Sequence, residues 1–202
     1  MPKRVDHGLR RRQITDAVCR ITVRGGPGAA TFREVAAEAG VSVRLVQYYF
    51  GSKDELMLAT QRRVSERAVA RIVSRRGGNE TPREALLRVL GSFIPTDDES
   101  REIMLLFVAL HAATLVDPSL FRPEAQAIPR SLHATIASHL AAADLGDRSP
   151  DMEAAILAGL VPSLAQSVLV GLDTPGNARA VLAYAVDRAL GHSPPPPPAR
   201  GC

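Results

Sequence analysis

Apolar residues recur along most of this chain at the three- and four-residue spacing of a helix, and strand-like alternation is weak throughout. Leu9, Ile14, Ala17, Val18 and Ile21 share one face, which predicts a helix from about Leu9 to Arg24, stopped by Gly25-Gly26-Pro27-Gly28. Shorter patterns follow at 32–39 and 43–49, then a longer one from Lys53 to about Arg75, broken at Gly77-Gly78-Asn79. Thr81-Pro82-Arg83-Glu84 reads as a capping box with proline at the first helical position, opening a helix to about Phe93. Thr96 to Glu99 repeats that logic ahead of 102–116, which is apolar nearly all round and suits a bundle interior. Asp117-Pro118 stops it, and Pro123 and Pro129 interrupt any long helix over 119–129. Further helices are expected at about 130–143, 151–171 and 175–190. Pro162, inside the second of these, removes a hydrogen bond and predicts a bend or a break. The expected fold class is all-α with about nine helices. Five consecutive prolines, Pro194 to Pro198, predict an extended tail over 193–202.

Thr31 to Glu55 packs three helix starts into one short stretch. Thr31 with Glu34, and Ser52 with Glu55, have the spacing of capping boxes; Gly40 allows a left-handed stop, and Ser42 caps the helix between. Two short helices joined by a glycine-containing turn read as a helix-turn-helix, whose second helix enters the DNA major groove.

Charge sharpens that reading. Residues 1–76 carry a balance of +9 and residues 77–202 a balance of −5, within a net charge of +4. A basic amino-terminal third suits a polyanion. The two cysteines, Cys19 and Cys202, offer neither a disulfide framework nor metal spacing, so a reducing compartment is expected. No apolar run reaches the roughly 18 residues of a membrane span, and the amino terminus lacks an apolar signal core. No membrane association is expected, and the location should be cytoplasmic, on the nucleoid. The domains expected are a helix-turn-helix over 1–52, a linking helix over 53–76, a ligand and dimerisation domain over 77–192, and the tail. The arginines of the linking helix, Arg62, Arg63, Arg67, Arg71, Arg75 and Arg76, are expected in solvent or paired to acids of the second domain.

The order T-F-R-E-V-A-A-E-A-G-V-S, then Y-Y-F-G-S-K-D-E-L, behind a first helix, strongly resembles the TetR family of transcriptional regulators over roughly residues 9–60. The resemblance implies a homodimer on a pseudo-palindromic operator, released by a small effector, most often as a repressor. Within it, Arg33 resembles a base- or phosphate-contacting residue and Lys53 a phosphate contact. The chemistry of the positions agrees. Thr31 caps a helix end where a phosphate also fits. Ser42, Val43, Arg44, Leu45 and Gln47 start and face the recognition helix; Arg44 can pair with guanine O6 and N7, Gln47 with adenine N6 and N7, and Val43 can touch a thymine methyl. Phosphate contact alone remains open for Arg44. Of Tyr48 and Tyr49, one is expected to face the DNA backbone and the other to pack. Many relatives carry tyrosine where this chain has Gln47, which makes a base contact more plausible there.

The same resemblance places the effector in the bundle core. Candidates are Phe93, Met104, Phe107, Val108, His111, Leu115, Phe121, His133 and Gln166, for an effector expected to be apolar. Each is equally readable as core, and His111 as a buried neutral histidine satisfied by a carbonyl. His111, His133 and His139 have no metal-ligand spacing, and neither metal nor cofactor is expected. In the family the last two long helices form a four-helix dimer interface, for which Gly159, Leu160, Leu164, Ser167, Val168, Gly171, Val181 and Tyr184 are the candidates. An enzyme is disfavoured, because the chain has no nucleophile elbow, phosphate loop, metal cluster or paired apolar carboxylates. A DNA-binding regulator or architectural protein without ligand control is the alternative.

Overall fold

Local caps start most of the helices, and burial decides how they pack. In the computed structural model, which describes residues 7–75, 77–117, 127–143 and 145–192, the elements run α1 (His7–Gly25), a 3-10 turn (Pro27–Ala29), α2 (Phe32–Ala39), α3 (Val43–Phe50), α4 (Lys53–Ser74), α5 (Pro82–Gly91), α6 (Asp98–Val116), α7 (Ala127–Ala141), α8 (Pro150–Leu169) and α9 (Pro175–Ala189). Every element among the described residues is helical. Residues 1–6, Arg76, Phe121, Pro123 and the proline tail lie outside the described residues.

The chain folds as two compact units. One takes the chain to Arg67 and resumes at Leu105; the other runs from Ala68 to Met104 and resumes at Ala127. This differs from boundaries at 53 and 77. The linking helix α4 is divided, and the second half of α6 belongs with the helix-turn-helix, because Leu110, Ala113 and Thr114 meet Met57, Leu58 and Gln61 of α4.

In the first unit, α1 packs on α2 and α2 on α3. Ile14, Ala17, Val18 and Ile21 are buried with Val35, Ala36, Val46, Phe50 and Leu56, while Leu9 at the start of α1 stays half exposed. Glu38 ties α2 to α1 by accepting from Arg20 at 2.6 Å and Arg24 at 2.5 Å, and both guanidiniums hold its carboxyl below the usual range. Arg63 of α4 pairs with Asp16 of α1 at 2.9 Å, so this arginine finds its acid in the amino-terminal unit.

In the second unit, α5 packs on α7 and α9, and α8 packs on α7 and α9. Leu86, Leu90, Ile94, Ile136, Leu140, Leu157 and Leu182 are fully buried. Thr81 and Glu84 form the reciprocal capping box that opens α5. The cap of α6 is Asp97, not Thr96: its carboxylate accepts from the Ser100 amide at 2.8 Å, and the helix starts earlier than expected. Arg71, 9% exposed, donates to Asp97 and to Glu99. Arg83 of α5 grips the buried Asp187 of α9 through two hydrogen bonds of 2.5 and 3.0 Å. That guanidinium lowers the Asp187 pKa, and the carboxylate in turn raises the pKa of Arg83.

Pro129 behaves differently from expectation, and Pro162 does not break its helix. α7 begins at Ala127 and takes Pro129 into its first turn, where a missing N–H costs no intrahelical bond. α8 runs unbroken through Pro162, which is exposed. By length and composition alone α8 could cross a membrane, against the expectation that no run suffices. It carries Asp151 and Glu153 in its first turn and buries one face on α7 and α9.

Candidate nucleic-acid interface and effector groove

Two polar caps and one left-handed glycine set the shape of the helix-turn-helix. The Thr31 hydroxyl accepts from the Glu34 amide at 3.2 Å, and the Ser42 hydroxyl accepts from the Leu45 amide at 3.2 Å. Between them Gly40 ends α2 at φ 65°. The reciprocal half of the first box is missing, because the Thr31 amide donates to the Ala29 carbonyl and Glu34 lies beside Arg33. The box at Ser52 is likewise one-sided as far as its own amide goes: the hydroxyl accepts from the Glu55 amide, and the Ser52 amide donates to the Phe50 carbonyl.

α3 has two faces. Val46 and Phe50 are buried, whereas Val43, Arg44, Gln47 and Tyr48 lie together on the exposed side. Tyr48 is 73% exposed, and Tyr49 is half-buried with its ring edge against Tyr48 at 5.4 Å between centroids. Of this pair Tyr48 is the one turned to solvent. Thr31, Arg33, Ser42 and Lys53 are exposed around the same motif. A guanidinium and a carboxamide one helical turn apart on a solvent face can reach the edges of two bases. Exposed helix starts at Thr31 and Lys53 offer N–H groups and a point charge to phosphate. Sequence reasoning missed two residues that touch this surface. Arg11 donates to the Tyr49 carbonyl at 2.5 Å, and His7 meets the Tyr49 hydroxyl at 3.2 Å. Arg11 lies within the run Arg10-Arg11-Arg12, and His7 lies outside it.

The expected effector residues differ in burial. Phe93 and Met104 are buried in the core of the second unit, and His133 is half-buried. Phe107 and Val108 are half-buried, His111 is exposed, and Leu115 is 74% exposed. His111 is therefore not a buried core histidine, and Gln166 is exposed on α8. The second unit instead holds a groove of about 590 Å³ among other residues. Ile72, Val73, Ala85 and Val89 supply apolar wall, and Glu80, Arg88, Thr135 and His139 supply polar groups. Arg88 spans it, donating to Glu80 at 2.7 Å and to the Ile72 carbonyl at 3.1 Å.

The expected interface residues also divide. Leu164 and Val168 are buried within the chain itself. Leu160 and Ser167 are half-buried, and Gly171 sits in the turn after α8 at φ 77°. The outer face carries Met152, Ile156, Gly159 and Gln166 of α8 and Val170 just after it, with Val181 and Tyr184 of α9. Beyond its chain neighbours and its own helix backbone, no heavy atom lies within 4 Å of a Cβ built at Gly159.

With this geometry in hand, comparison with known proteins is unambiguous. The family model of the bacterial regulatory proteins of the tetR family matches residues 14–60, and that of the BetI-type transcriptional repressor C-terminal domain matches residues 82–191. The HTH-type transcriptional regulator PksA of Bacillus subtilis strain 168 is 32% identical over 167 residues, covering 82% of this chain and 81% of the relative. A TetR-family transcriptional regulator from Rhodococcus sp. superposes with a TM-score of 0.81 at 26% identity, over 91% of this chain and 99% of the other. The multidrug binding protein EbrR, solved with proflavin, has a TM-score of 0.60 at 28% identity, over 87% and 99%. The chain thus belongs to the TetR family, as a DNA-binding transcriptional regulator with a BetI-type repressor carboxy-terminal domain, and it is not an enzyme.

Proposed function

We propose that the protein is a homodimeric repressor that acts on the nucleoid in the cytoplasm, reads a pseudo-palindromic operator through α3, and leaves it when a small effector binds. The observation that carries the reading is the division of α3 between buried Val46 and Phe50 and exposed Val43, Arg44, Gln47 and Tyr48. Arg44 and Gln47 are assigned to base edges; Thr31, Arg33, Ser42, Tyr48 and Lys53 are assigned to backbone and neighbouring bases. Two copies joined through the outer faces of α8 and α9 would supply two recognition helices for half-sites about 34–36 Å apart. The effector is placed in the groove between α5 and α7. Its walls favour an apolar body, and Glu80, Arg88 and His139 favour a polar end. Binding there bears on DNA through α4 and α6, the two helices that run from one unit into the other.

The test is selection of bound duplexes from a random pool by the full chain, with Ile156→Asp run in parallel. The expected result is an inverted repeat with half-site centres about one helical turn apart, roughly 10–10.5 bp, or a multiple of it. Ile156→Asp should sediment as a monomer and select nothing. Selection of single half-sites, or undiminished binding by a monomeric variant, would remove the dimeric reading.

A further inference from the structure

The inner face of α3 is held by Val46 and Phe50, but its carboxy-terminal end is held from α1. Arg11 donates from Nη1 to the Tyr49 carbonyl at 2.5 Å, and the same guanidinium lies 4.5 Å from the centre of the Phe50 ring. One turn earlier, His7 Nδ1 is 3.2 Å from the Tyr49 hydroxyl, with the rings 5.7 Å apart. The end of a helix leaves carbonyls without intrahelical donors. At α3 the Gln47 carbonyl accepts from the Gly51 amide and the Phe50 carbonyl from the Ser52 amide, whereas the Tyr49 carbonyl accepts from a side chain 38 residues earlier. A cation suits that end of a helix dipole, and a guanidinium over an aromatic face adds attraction. The neighbouring Arg10 spends a bond on Gln13 of its own helix.

We propose that Arg11, assisted by His7, is a positioning residue for DNA recognition. It fixes the direction of α3 relative to α1 and so sets base discrimination without itself touching a base or a phosphate. Both residues lie in the first two turns of α1, ahead of residue 14, where the match to the tetR-family model begins. The proposal rests on the reading that α3 faces base edges.

The experiment measures affinity for a selected operator and for a scrambled duplex across about 50–200 mM salt. The proteins are the full chain, Arg11→Ala, Arg11→Lys and the double variant Arg44→Ala/Gln47→Ala, with melting curves for each. Arg11→Ala should lower the ratio of specific to non-specific affinity about tenfold per half-site, equivalent to about 1.4 kcal/mol. The slope of log affinity against log salt on the scrambled duplex should not change, whereas each lost phosphate contact would flatten it by about 0.9. Arg11→Lys keeps the charge and loses the planar stack, so it should fall between; it answers the question if Arg11→Ala does not fold. A flattened slope with the ratio intact would make Arg11 a phosphate contact and overturn the proposal. So would an unchanged ratio in the folded Arg11 variants while Arg44→Ala/Gln47→Ala abolishes it, and that outcome leaves the reading of α3 standing. If the Arg44→Ala/Gln47→Ala protein keeps the ratio, the reading of α3 falls first.

Discussion

Gly40 fixes the turn that aims α3, and replacing it tests the turn with little interference from packing. Its backbone sits at φ 65°, ψ 37°. Its amide donates to the Ala37 carbonyl at 3.2 Å, and the Val41 amide reaches back to Ala36 at 2.9 Å, the paired bonds of a Schellman end. A Cβ added at Gly40 meets no heavy atom within 4 Å, so Gly40→Ala introduces no clash with the surroundings. What remains is the left-handed backbone, which costs an L-residue about 1–2 kcal/mol. A smaller unfolded ensemble offsets about 0.4–1 kcal/mol of that. The net loss should be about 1 kcal/mol, a fall of roughly fivefold in the folded-to-unfolded ratio. Gly40→Asn should lose less, because asparagine visits this region more readily. Urea denaturation followed by circular dichroism, at fixed protein concentration, gives the order wild type, Gly40→Asn, Gly40→Ala. An alanine variant as stable as the wild type, or more so, would mean that residue 40 is not held left-handed, and the geometry argued for α2 and α3 would fail.

Other expectations are more direct. Val46→Ala deletes two methyl groups from a fully buried site on the inner face of α3; at about 0.8 kcal/mol each plus a cavity, it should cost about 2 kcal/mol in the same denaturation assay. Acid should loosen the second unit. Asp97 is held well below the usual carboxylate range by the Ser100 amide and Arg71, and Asp187 is lowered by Arg83. A carboxylate with a depressed folded pKa adds stability above its unfolded value of about 3.9, and that contribution is lost as pH falls from there through the folded value. Melting temperature should therefore drop below about pH 4, and Asp97→Asn/Asp187→Asn should lower it at neutral pH while flattening the acid slope. In the proposed effector groove, Val73→Trp, at an exposed position of the wall, should fill space and weaken operator release by an inducing compound, read as a rise in the concentration needed for half release.

How much of this was legible in the sequence depends on the range of the forces involved. Caps act within three residues, so Ser42, Thr81, Ser149 and Thr174 could be read directly, and each accepts from the amide three residues on. The back-bond of a capping box was less legible, because the Thr31 and Ser52 amides go to carbonyls of preceding turns. The buried face of α3 was legible because Val46 and Phe50 are apolar and four residues apart, with Arg44 and Gln47 on another side of the helix. α8 is apolar on nearly every side, so its period did not separate inward Leu164 and Val168 from outward Met152 and Ile156. The groove draws on α4, α5, α7 and the turn after α4, and no local pattern joins Ile72 to His139. Nor did three consecutive arginines reveal which of them reaches Tyr49.

The central claim, that Arg44 on α3 pairs with a guanine edge, is open to atomic substitution in the DNA. Once a selected operator is known, each guanine in turn is replaced by 7-deazaguanine, which lacks the N7 acceptor, and affinity is measured for wild type and Arg44→Ala. A bidentate pair is worth about 1–3 kcal/mol of discrimination. One symmetric pair of guanines should weaken wild-type binding strongly and leave Arg44→Ala unaffected, the non-additivity expected of two groups in contact. Equal losses for both proteins at every guanine, or no loss at any, would contradict the claim.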